Sequence, residues 1–249
     1  MTMKGLHAVV TGGGSGIGAA VAQSLLMAGA SVTLMGRNLD RLNAEAAGIG
    51  ASAQQVDVAD EASVRAAFAA AGAVDILINS AGMVESQPLK KTSLDQWSRT
   101  LQVNLTGTFL CSREVVPGMS ERGFGRIVNV ASTAALKGYA YVAAYCAAKH
   151  GVLGLTRALA LELATQGVTV NAVCPGYTET AIVEEALVNI MAKTGRSREE
   201  ALKSLTGTNP QGRLIQPAEV AATVMHLVSR EAGSITGQAI SISGGEVMS

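Results

Sequence analysis

The sequence has few charged residues and few cysteines. Lys and Arg together number 19, Asp and Glu also number 19, and the four types make up only 15% of the 249 residues. A chain without net formal charge is a poor ligand for an extended polyanion, so we expect no nucleic-acid partner. The three cysteines, Cys111, Cys146 and Cys174, are far apart and form no Cys-x-x-Cys pair. They predict reduced core residues in a cytoplasmic protein and argue against a disulfide framework.

Long apolar runs and clustered histidines are also missing. No uninterrupted apolar segment is long enough to span a bilayer, and a predicted strand follows the first residues too soon for a signal peptide. The histidines His7, His150 and His226 are widely separated, so no metal site is expected. These absences predict a soluble, unexported protein that contacts no membrane and holds no metal.

Hydrophobic residues make up 48% of the sequence and recur in short runs. Seven apolar or β-branched segments, separated by helical ones, lie at residues 6–11, 31–35, 53–56, 75–78, 126–130, 168–174 and 238–242. This alternation predicts an α/β fold with a single domain, residues 1–249, in which a doubly wound parallel sheet of about seven strands carries helices on both faces. The high proportion of hydrophobic residues and the low proportion of charged ones also predict buried contacts between subunits.

Two segments, residues 94–117 and 142–164, are predicted to form long helices with small or apolar faces. These helices are candidates for subunit contacts, or they only cover the sheet. The sequence supports both interpretations equally.

A charge-rich insertion at residues 177–216 interrupts the alternation of strands and helices. Within it, Ser197 and Glu200 match a capping box that opens a short helix, and Pro217 fits the first turn of the helix that follows. An insertion beyond the carboxyl ends of the strands predicts a substrate lid.

A glycine-rich turn follows the first predicted strand and precedes a helical segment at residues 17–28. Glycines let the backbone approach a pyrophosphate, and the first turn of the next helix offers unpaired N–H groups at its positive end. A P-loop would need Lys-Ser or Lys-Thr where Ala19 follows Gly18, and a nucleophile elbow would need glycine at Ile17. The turn therefore predicts a dinucleotide site made by Gly12, Gly14, Ser15, Gly16, Ile17 and Gly18.

Tyr145 and Lys149 lie four positions apart in a predicted helix, and Ser132 precedes them. Residues at this spacing share a helix face, so the ammonium can lie beside the phenol and favour the phenolate. Tyr145 would donate a proton to a carbonyl oxygen as hydride reaches its carbon, while Ser132 hydrogen-bonds the same oxygen. Ordinary interpretations also exist: Tyr-x-x-x-Lys occurs by chance, Ser132 can be a turn residue, and Lys149 can be a surface lysine. Tyr139 and Tyr141 lack a lysine four residues on and are interpreted as pocket lining or core.

Together these motifs resemble those of the short-chain dehydrogenase/reductase family, from the first strand to the last. The family's glycine turn matches residues 11–18, its Asn-Asn-Ala-Gly appears as residues 79–82 with Ser80 in the second place, and its Pro-Gly appears as residues 175–176. The resemblance implies a Rossmann-type fold. The cofactor contacts that it implies are Asp57, Val58, Asn79, Ala81, Gly82, Tyr145, Lys149, Pro175, Gly176, Thr178 and Thr180.

The resemblance also assigns roles within the catalytic set. It implies that Lys149 lowers the pKa of Tyr145 and contacts the nicotinamide ribose, and that Asn104 joins a proton relay through water. Taken alone, Asn104 could equally bond locally inside its helix, and Asp57 is better interpreted as a turn residue at a strand end.

Cofactor choice depends on the end of the second predicted strand. An acidic residue there would bind the adenosine ribose and select NAD, whereas an arginine can pair with a 2′-phosphate. The sequence has Gly36 followed by Arg37, which favours NADP(H). NAD(H) stays open, because Ser15 stands where many NADP-preferring relatives have a second base.

The resemblance predicts an NAD(P)-dependent oxidoreductase that interconverts a ketone and a secondary alcohol, assembled as a homotetramer. The chain is similar to 3-oxoacyl thioester reductases and 3-hydroxyacyl-CoA dehydrogenases, so a 3-oxoacyl or 3-hydroxyacyl thioester is the preferred substrate. Four basic residues of the insertion could meet phosphates of coenzyme A or a carrier group, or could be solvated: Lys193, Arg196, Arg198 and Lys203. The alternatives are a dehydrogenase of another secondary alcohol, cyclic, aromatic or sugar-like, and a catalytically idle nucleotide-binding subunit.

Overall fold

The computed structural model describes residues 2–248 and centres on a seven-stranded parallel sheet. Its strands are β1 (His7–Thr11), β2 (Ser31–Gly36), β3 (Ser52–Gln55), β4 (Ile76–Asn79), β5 (Gly125–Val130), β6 (Val168–Pro175) and β7 (Ala239–Ile242). Each predicted segment forms a strand, and its ends differ from the prediction by no more than one residue. The strands lie in the order β3-β2-β1-β4-β5-β6-β7.

Helices connect the strands. They are α1 (Gly16–Met27), α2 (Leu39–Ile49), α3 (Glu61–Ala71), α4 (Leu94–Leu101), α5 (Gly107–Glu121), α6 (Ala143–Glu162), α7 (Ala181–Thr194), α8 (Arg198–Thr206) and α9 (Pro217–Leu227). The side chains of Asn38, Asp60 and Ser93 accept hydrogen bonds from first-turn N–H groups, which helps to define where α2, α3 and α4 begin. The capping box predicted at Ser197 and the first-turn position of Pro217 are confirmed.

The helices cover both faces of the sheet because successive strand residues point to opposite sides. In β1, Val10 belongs to the apolar cluster formed with α1, α2 and α9, whereas Val9 belongs to the cluster formed with α3, α5 and α6. In β4, Ile78 and Leu77 divide between the two clusters in the same way. All four side chains are fully buried, and such burial contributes about 1.5–3 kcal/mol for each. The predicted α/β fold with a doubly wound parallel sheet is confirmed.

The strand order opens a crevice between the carboxyl ends of β1 and β4. The chain runs from β1 outward to β2 and β3, crosses back to β4, and continues to β5, β6 and β7. Ligands of such sheets bind where the direction of winding changes in this way. Polar residues meet there in register, since Thr11 pairs with Asn79 and Asn79 pairs with Asn129.

The helix predicted at residues 94–117 is longer than expected and not uniform. It comprises α4, a π-helical turn at Gln102–Thr106 and α5, and it passes Pro117 to end at Glu121. Pro117 removes one N–H from the helical ladder, but the fully buried Met119 anchors the following turn in the core. Packing therefore outweighs the local signal that proline ends a helix.

The second predicted long helix and the charge-rich insertion are both present in the structure. The helix predicted at residues 142–164 is α6. Residues 177–216 contain α7 and α8, which pack on each other around an apolar cluster of their own. Its buried members are Val183, Leu187, Ala201 and Leu205.

The cysteines do not all lie in the core. Cys111 and Cys174 are buried as expected, whereas Cys146 is only half-buried. The prediction is wrong for Cys146 because this residue of α6 lies beside the loop that precedes the helix, with its Sγ 4.0 Å from the carbonyl oxygen of Tyr139. Among residues 2–248, no helix is long and apolar enough to cross a membrane.

Candidate active site

At Gly12 and Gly18 the glycine-rich turn between β1 and α1 packs too closely on its neighbours for a side chain to fit. A Cβ at Gly12 would lie 2.9 Å from the Ala81 backbone, and a Cβ at Gly18 would overlap the Gly12 carbonyl oxygen. Gly12 has a φ of +66° and Gly16 a φ of +55°, a left-handed conformation that glycine adopts without strain. The glycines thereby bring the turn after β1 against the turn after β4.

The first turn of α1 leaves N–H groups available to an anion. Ser15 is the N-cap residue, but its side chain makes no capping hydrogen bond. The first backbone N–H groups of α1, from Gly16 to Gly18, therefore lie at the positive end of the helix, an arrangement that suits a phosphate. Ile17 is half-buried against the apolar core and anchors this turn. The close-packed glycines and the uncapped helix fit the pyrophosphate of a dinucleotide.

Thr11 has no role in the sequence prediction, yet its hydroxyl holds the turn after β4. Its Oγ1 accepts hydrogen bonds from the backbone N–H groups of Ser80 (3.1 Å) and Ala81 (3.2 Å). The backbone of Ser80 makes this contact, so the serine in place of the family's second asparagine leaves it intact. The sequence signals for Thr11 are that it is a polar residue at the end of β1 and that it opens the family's glycine motif.

Asn79, predicted to contact the cofactor, directs its side chain into the sheet. Its Nδ2 donates to Ser112 Oγ (3.1 Å) and to Asn129 Oδ1 (2.9 Å), and the Asn129 amide donates in turn to Thr156 Oγ1 (2.9 Å). This buried polar chain ties β4 to β5, α5 and α6. The Asn79 side chain thus positions the turn that carries Ala81, and contact of Asn79 with a cofactor stays a prediction.

Gly82, Asn104 and Lys149 converge from three separate segments. A Cβ at Gly82 would lie 2.9 Å from Asn104 Oδ1 and 3.9 Å from Lys149 Nζ. Asn104 is fully buried in the π-helical turn, and its Nδ2 donates to the carbonyl oxygens of Met83 and Thr100, both at 2.9 Å. Its Oδ1 accepts from the Met83 N–H at 3.2 Å. The amide thus clamps the turn after β4, and π-helical turns often occur at functional positions of this kind.

Tyr145, Lys149 and Ser132, the predicted catalytic residues, lie close together. Lys149 is only 5% exposed; its Nζ donates to the Val130 carbonyl oxygen (2.8 Å) and lies 5.6 Å from the centroid of the Tyr145 ring. The Ser132 Oγ accepts a hydrogen bond from the Ala134 N–H (3.1 Å), and it lies near enough to the Tyr145 phenol to influence the pKa of that group. Ser132 is therefore both a turn residue and a neighbour of the phenol, while Lys149 is not a surface lysine.

The electrostatics of the pair differ from the expected lowering of the phenol pKa. Burial raises the pKa of Tyr145 to about 12, although hydrogen bonding to Ser132 acts in the opposite direction. Burial also lowers the pKa of Lys149 to about 8. The ammonium lies over the ring and bonds to Val130, so it does not touch the hydroxyl and does not offset the desolvation. Tyr145 therefore keeps its proton at neutral pH.

The segment after β6 returns to the glycine-rich turn. Pro175 ends β6, and the Thr178 hydroxyl donates to the Gly176 carbonyl oxygen (3.0 Å). The Thr180 hydroxyl donates to the Thr178 carbonyl oxygen (3.2 Å), and a Cβ at Gly16 would lie 3.0 Å from the Thr180 methyl group. Thr180 therefore lies where a ligand held by the turn would meet the start of the insertion.

The predicted adenosine contacts lie at the other side of the crevice. Arg37 is exposed directly after β2, and its carbonyl oxygen accepts a hydrogen bond from Gln55 Nε2 (2.9 Å). Asp57 accepts a hydrogen bond from the Ala59 N–H (3.0 Å), so it closes a local turn. Val58 is buried beneath the π-helical segment. Contacts of these residues with a cofactor stay a prediction.

A cluster near the end of the chain was not predicted. The Glu246 carboxylate, whose side chain is 2% exposed, accepts hydrogen bonds from the Tyr139 hydroxyl (2.6 Å) and Lys137 Nζ (2.9 Å). The Tyr139 ring meets the Tyr177 ring edge-on, with centroids 6.2 Å apart. Glu246 is far from Tyr139 in sequence and matches no motif, so only the fold reveals this wall beside Gly176. Tyr141, by contrast, is exposed, with a φ of +69°, so it is not a core residue.

Comparisons with known proteins agree with one another. A family model described as short chain dehydrogenase matches residues 6–190. A ketoacyl reductase of granaticin polyketide synthase from Streptomyces violaceoruber is 41% identical, over 96% of this chain and 92% of the relative. An acetoacetyl-CoA reductase from Shinella zoogloeoides is 40% identical, over 96% of this chain and 97% of the relative. A solved actinorhodin polyketide ketoreductase variant with NADPH has a TM-score of 0.93 and 38% identity, with 99% of each chain covered.

Proposed function

Because this chain belongs to the short-chain dehydrogenase family, we propose that it is an NAD(P)-dependent oxidoreductase that interconverts a ketone and a secondary alcohol. One observation carries the proposal: Tyr145, Ser132 and Lys149 meet at the carboxyl ends of the strands, next to Gly82 and Asn104. Fold alone does not make an enzyme, and an idle nucleotide-binding subunit would not need this combination. We therefore favour catalysis over nucleotide binding alone.

A 3-oxoacyl thioester is the proposed substrate. The support is the similarity to ketoacyl and acetoacetyl-CoA reductases, which extends over nearly the whole chain. Lys193, Arg196 and Lys203 are exposed on the insertion, where they can meet the phosphates of coenzyme A or of a carrier group. Arg198 is less available because its guanidinium pairs with Glu184 at 2.7 Å.

Reduction needs a proton donor beside the carbonyl oxygen, and Tyr145 suits that task. Its raised pKa keeps the phenol protonated at neutral pH, so it can donate as negative charge develops on the oxygen. The Ser132 hydroxyl can hydrogen-bond the same oxygen and stabilise that charge. The bound nicotinamide cofactor supplies the hydride. We expect Lys149, whose ammonium lies 5.6 Å from the centre of the Tyr145 ring, to contact the nicotinamide ribose rather than to lower the pKa of the phenol.

Asn104 acts in this proposal mainly by position. Its side-chain amide is engaged with Met83 and Thr100, so it holds the turn that carries Gly82. Participation of Asn104 in a proton relay through water stays a prediction of the family resemblance. We expect Pro175, Gly176, Thr178 and Thr180 to contact the cofactor where the insertion returns to the glycine-rich turn.

We propose NADP(H) as the preferred cofactor, with NAD(H) possible. The exposed Arg37 follows Gly36 at the end of β2, where a 2′-phosphate can pair with a guanidinium. A similar structure that contains NADPH supports this choice.

The proposal extends to organisation, assembly and location. We treat the chain as one catalytic domain in which residues 177–216 form a substrate lid, because Thr180 at its start lies against the glycine-rich turn. Phe109 on α5 and Leu161 on α6 are 42% and 82% exposed, which supports subunit contacts and the expected homotetramer. Light scattering tests this assembly, and a monomer would contradict it. The free cysteines fit a cytoplasmic location.

The test is a panel of carbonyl substrates combined with a matched pair of tyrosine variants. Acetoacetyl-CoA, simple ketones, steroids and sugars are each incubated with NADPH, and oxidation of the cofactor is followed by absorbance. We expect turnover with the thioester, and failure with every thioester would remove that substrate class. Tyr145→Phe should bind NADPH normally and lose turnover, whereas Tyr141→Phe, which removes an exposed hydroxyl, should retain it. Unchanged activity of Tyr145→Phe would refute the mechanism.

A further inference from the structure

Arg41 lies across the glycine-rich turn, although it comes from a different part of the sequence. Its Nε donates a hydrogen bond to the Gly14 carbonyl oxygen at 3.0 Å. A Cβ at Gly14 would lie 3.6 Å from the Arg41 Cγ and 3.9 Å from its Cδ, so the aliphatic stem follows the turn. The guanidinium is therefore held next to the site that suits a dinucleotide.

Local structure explains this position. The Asn38 side chain caps α2 by accepting the Arg41 N–H at 2.9 Å, which places Arg41 in the first turn of the helix. Side chains of a helix lean toward its N-terminus, so Arg41 points back toward the end of β2 and the glycine-rich turn. Leu42, the next residue, packs beneath Gly14 and Gly36 and fixes the approach of the helix.

The guanidinium groups of Arg37 and Arg41 both have N–H donors that remain available to a ligand. Within residues 2–248, neither Arg37 nor Arg41 belongs to an ion pair. Arg41 uses Nε for the bond to Gly14, and its two terminal nitrogens make no hydrogen bond to the described part of the chain. Both side chains are exposed to solvent. Arg37 follows β2 directly and Arg41 lies in the first turn of α2, so a dianion bound at the end of β2 can meet both positive charges and several N–H donors.

We propose that Arg41 is a specificity-determining residue that binds the adenosine 2′-phosphate of NADP(H) together with Arg37. The inference rests on the proposed cofactor preference and deepens it. Ser15 of the glycine-rich turn carries no charge, and Arg41, which donates a hydrogen bond to Gly14 of that turn, supplies a second basic residue in addition to Arg37. A bidentate or doubly charged contact binds a phosphate dianion but gives little to a ribose that carries only hydroxyl groups.

Arg41 could instead serve only to clamp the glycine-rich turn, and the two roles have different signatures. Loss of a clamp would weaken every adenine nucleotide equally, because all of them use the same turn. Loss of a phosphate ligand would weaken only nucleotides with a 2′-phosphate. Binding of small nucleotide fragments separates these outcomes without requiring turnover or knowledge of the substrate.

The experiment measures the affinities of 2′,5′-ADP and 5′-AMP by calorimetry for the full chain and for Arg41→Ala, Arg37→Ala and Arg41→Lys. We expect the unsubstituted protein to prefer 2′,5′-ADP, and Arg41→Ala to weaken it by about 10- to 100-fold, the range for a charge-assisted hydrogen bond. The affinity for 5′-AMP should change by less than about twofold, which also shows that the variant is folded. Arg41→Lys should lie between, because it keeps the charge but loses the fork.

Arg65→Ala provides the matched control, since it removes the same charge from an exposed position on α3. It should leave both affinities unchanged. Equal losses of both nucleotides in Arg41→Ala, or no loss of 2′,5′-ADP, would overturn the inference while the proposed cofactor preference stands. If the unsubstituted protein itself fails to prefer 2′,5′-ADP, the cofactor preference and the inference both fail.

Discussion

Lys149 is a buried cation, and its replacement should reveal how strongly the site is desolvated. Within the described residues its ammonium has one hydrogen-bond partner, the Val130 carbonyl oxygen, and no carboxylate. Burial lowers its pKa from 10.5 to about 8. At about 1.4 kcal/mol for each pKa unit, the charged form destabilises the folded protein by about 3 kcal/mol. Lys149→Met keeps the length of the side chain and removes this charge.

The pH dependence isolates this effect. The folded pKa of Lys149 lies below the unfolded value, so between pH 8 and pH 10.5 the unfolded chain holds a proton that the folded chain has lost. Stability rises with pH wherever the unfolded state binds more protons. The penalty is complete below pH 8 and disappears above pH 10.5, and Lys149→Met lacks it throughout. The stability advantage of Lys149→Met should therefore shrink by about 2–3 kcal/mol from about pH 7 to about pH 10.

The measurement is denaturant unfolding of both proteins at the two pH values, without added cofactor. Loss of the Lys149 ammonium also leaves the Val130 carbonyl oxygen without its partner, which costs about 1–3 kcal/mol at every pH. The absolute difference is therefore less informative than its change with pH. Lys193→Met, at an exposed position, is the control and should show a difference that does not vary with pH. A constant difference for Lys149→Met would refute the desolvation argument.

Three further substitutions test the packing of the site, with a helix control, and an ion pair outside it. Gly82→Ala places a Cβ 2.9 Å from Asn104 Oδ1, so it should lower turnover by about 10- to 100-fold and the melting temperature by a few degrees. Gly48→Ala, where nothing lies within 4 Å, should instead stabilise the protein by about 0.5–1 kcal/mol; equal losses in both variants would contradict the steric argument. Glu219→Gln removes the carboxylate that accepts two hydrogen bonds from Arg213, at 2.7 Å each, and should lower the melting temperature at neutral pH. Hydrogen bonding to Arg213 lowers the pKa of Glu219 from 4.5 to about 2. The difference in melting temperature between the two proteins should therefore be complete above pH 4.5 and vanish as pH falls through about 2. A difference that persists below pH 2 would show that the ion pair is not responsible.

Some features depended on long-range packing and could not be predicted locally. Pro117 marks a local helix end, yet the helix continues to Glu121 because the buried Met119 packs in the core. Cysteine is a residue type that usually lies in the core, but Cys146 is only half-buried because it lies next to the loop that precedes α6.

The prediction that Lys149 lowers the pKa of Tyr145 is wrong for a related reason. Helical spacing correctly places Lys149 on the same face as the phenol. It does not reveal that the ammonium bonds to Val130, nor that burial of the phenol outweighs hydrogen bonding to Ser132. Such a pKa depends on the whole environment of the group, which only packing defines.

The sequence by itself determined the strands, the glycine-rich turn and the family, and it selected Ser132, Tyr145 and Lys149 as candidate catalytic residues, because these signals are local patterns of a few residues. Only the tertiary structure decided which separate segments meet. It placed Arg41 on the glycine-rich turn and Glu246 in contact with Tyr139, and it directed the Asn79 side chain into the sheet. The physical reason is that a sheet brings together the ends of strands that are far apart in the sequence, so sequence separation does not indicate which residues touch. The burial that results then shifts the pKa of each ionisable group.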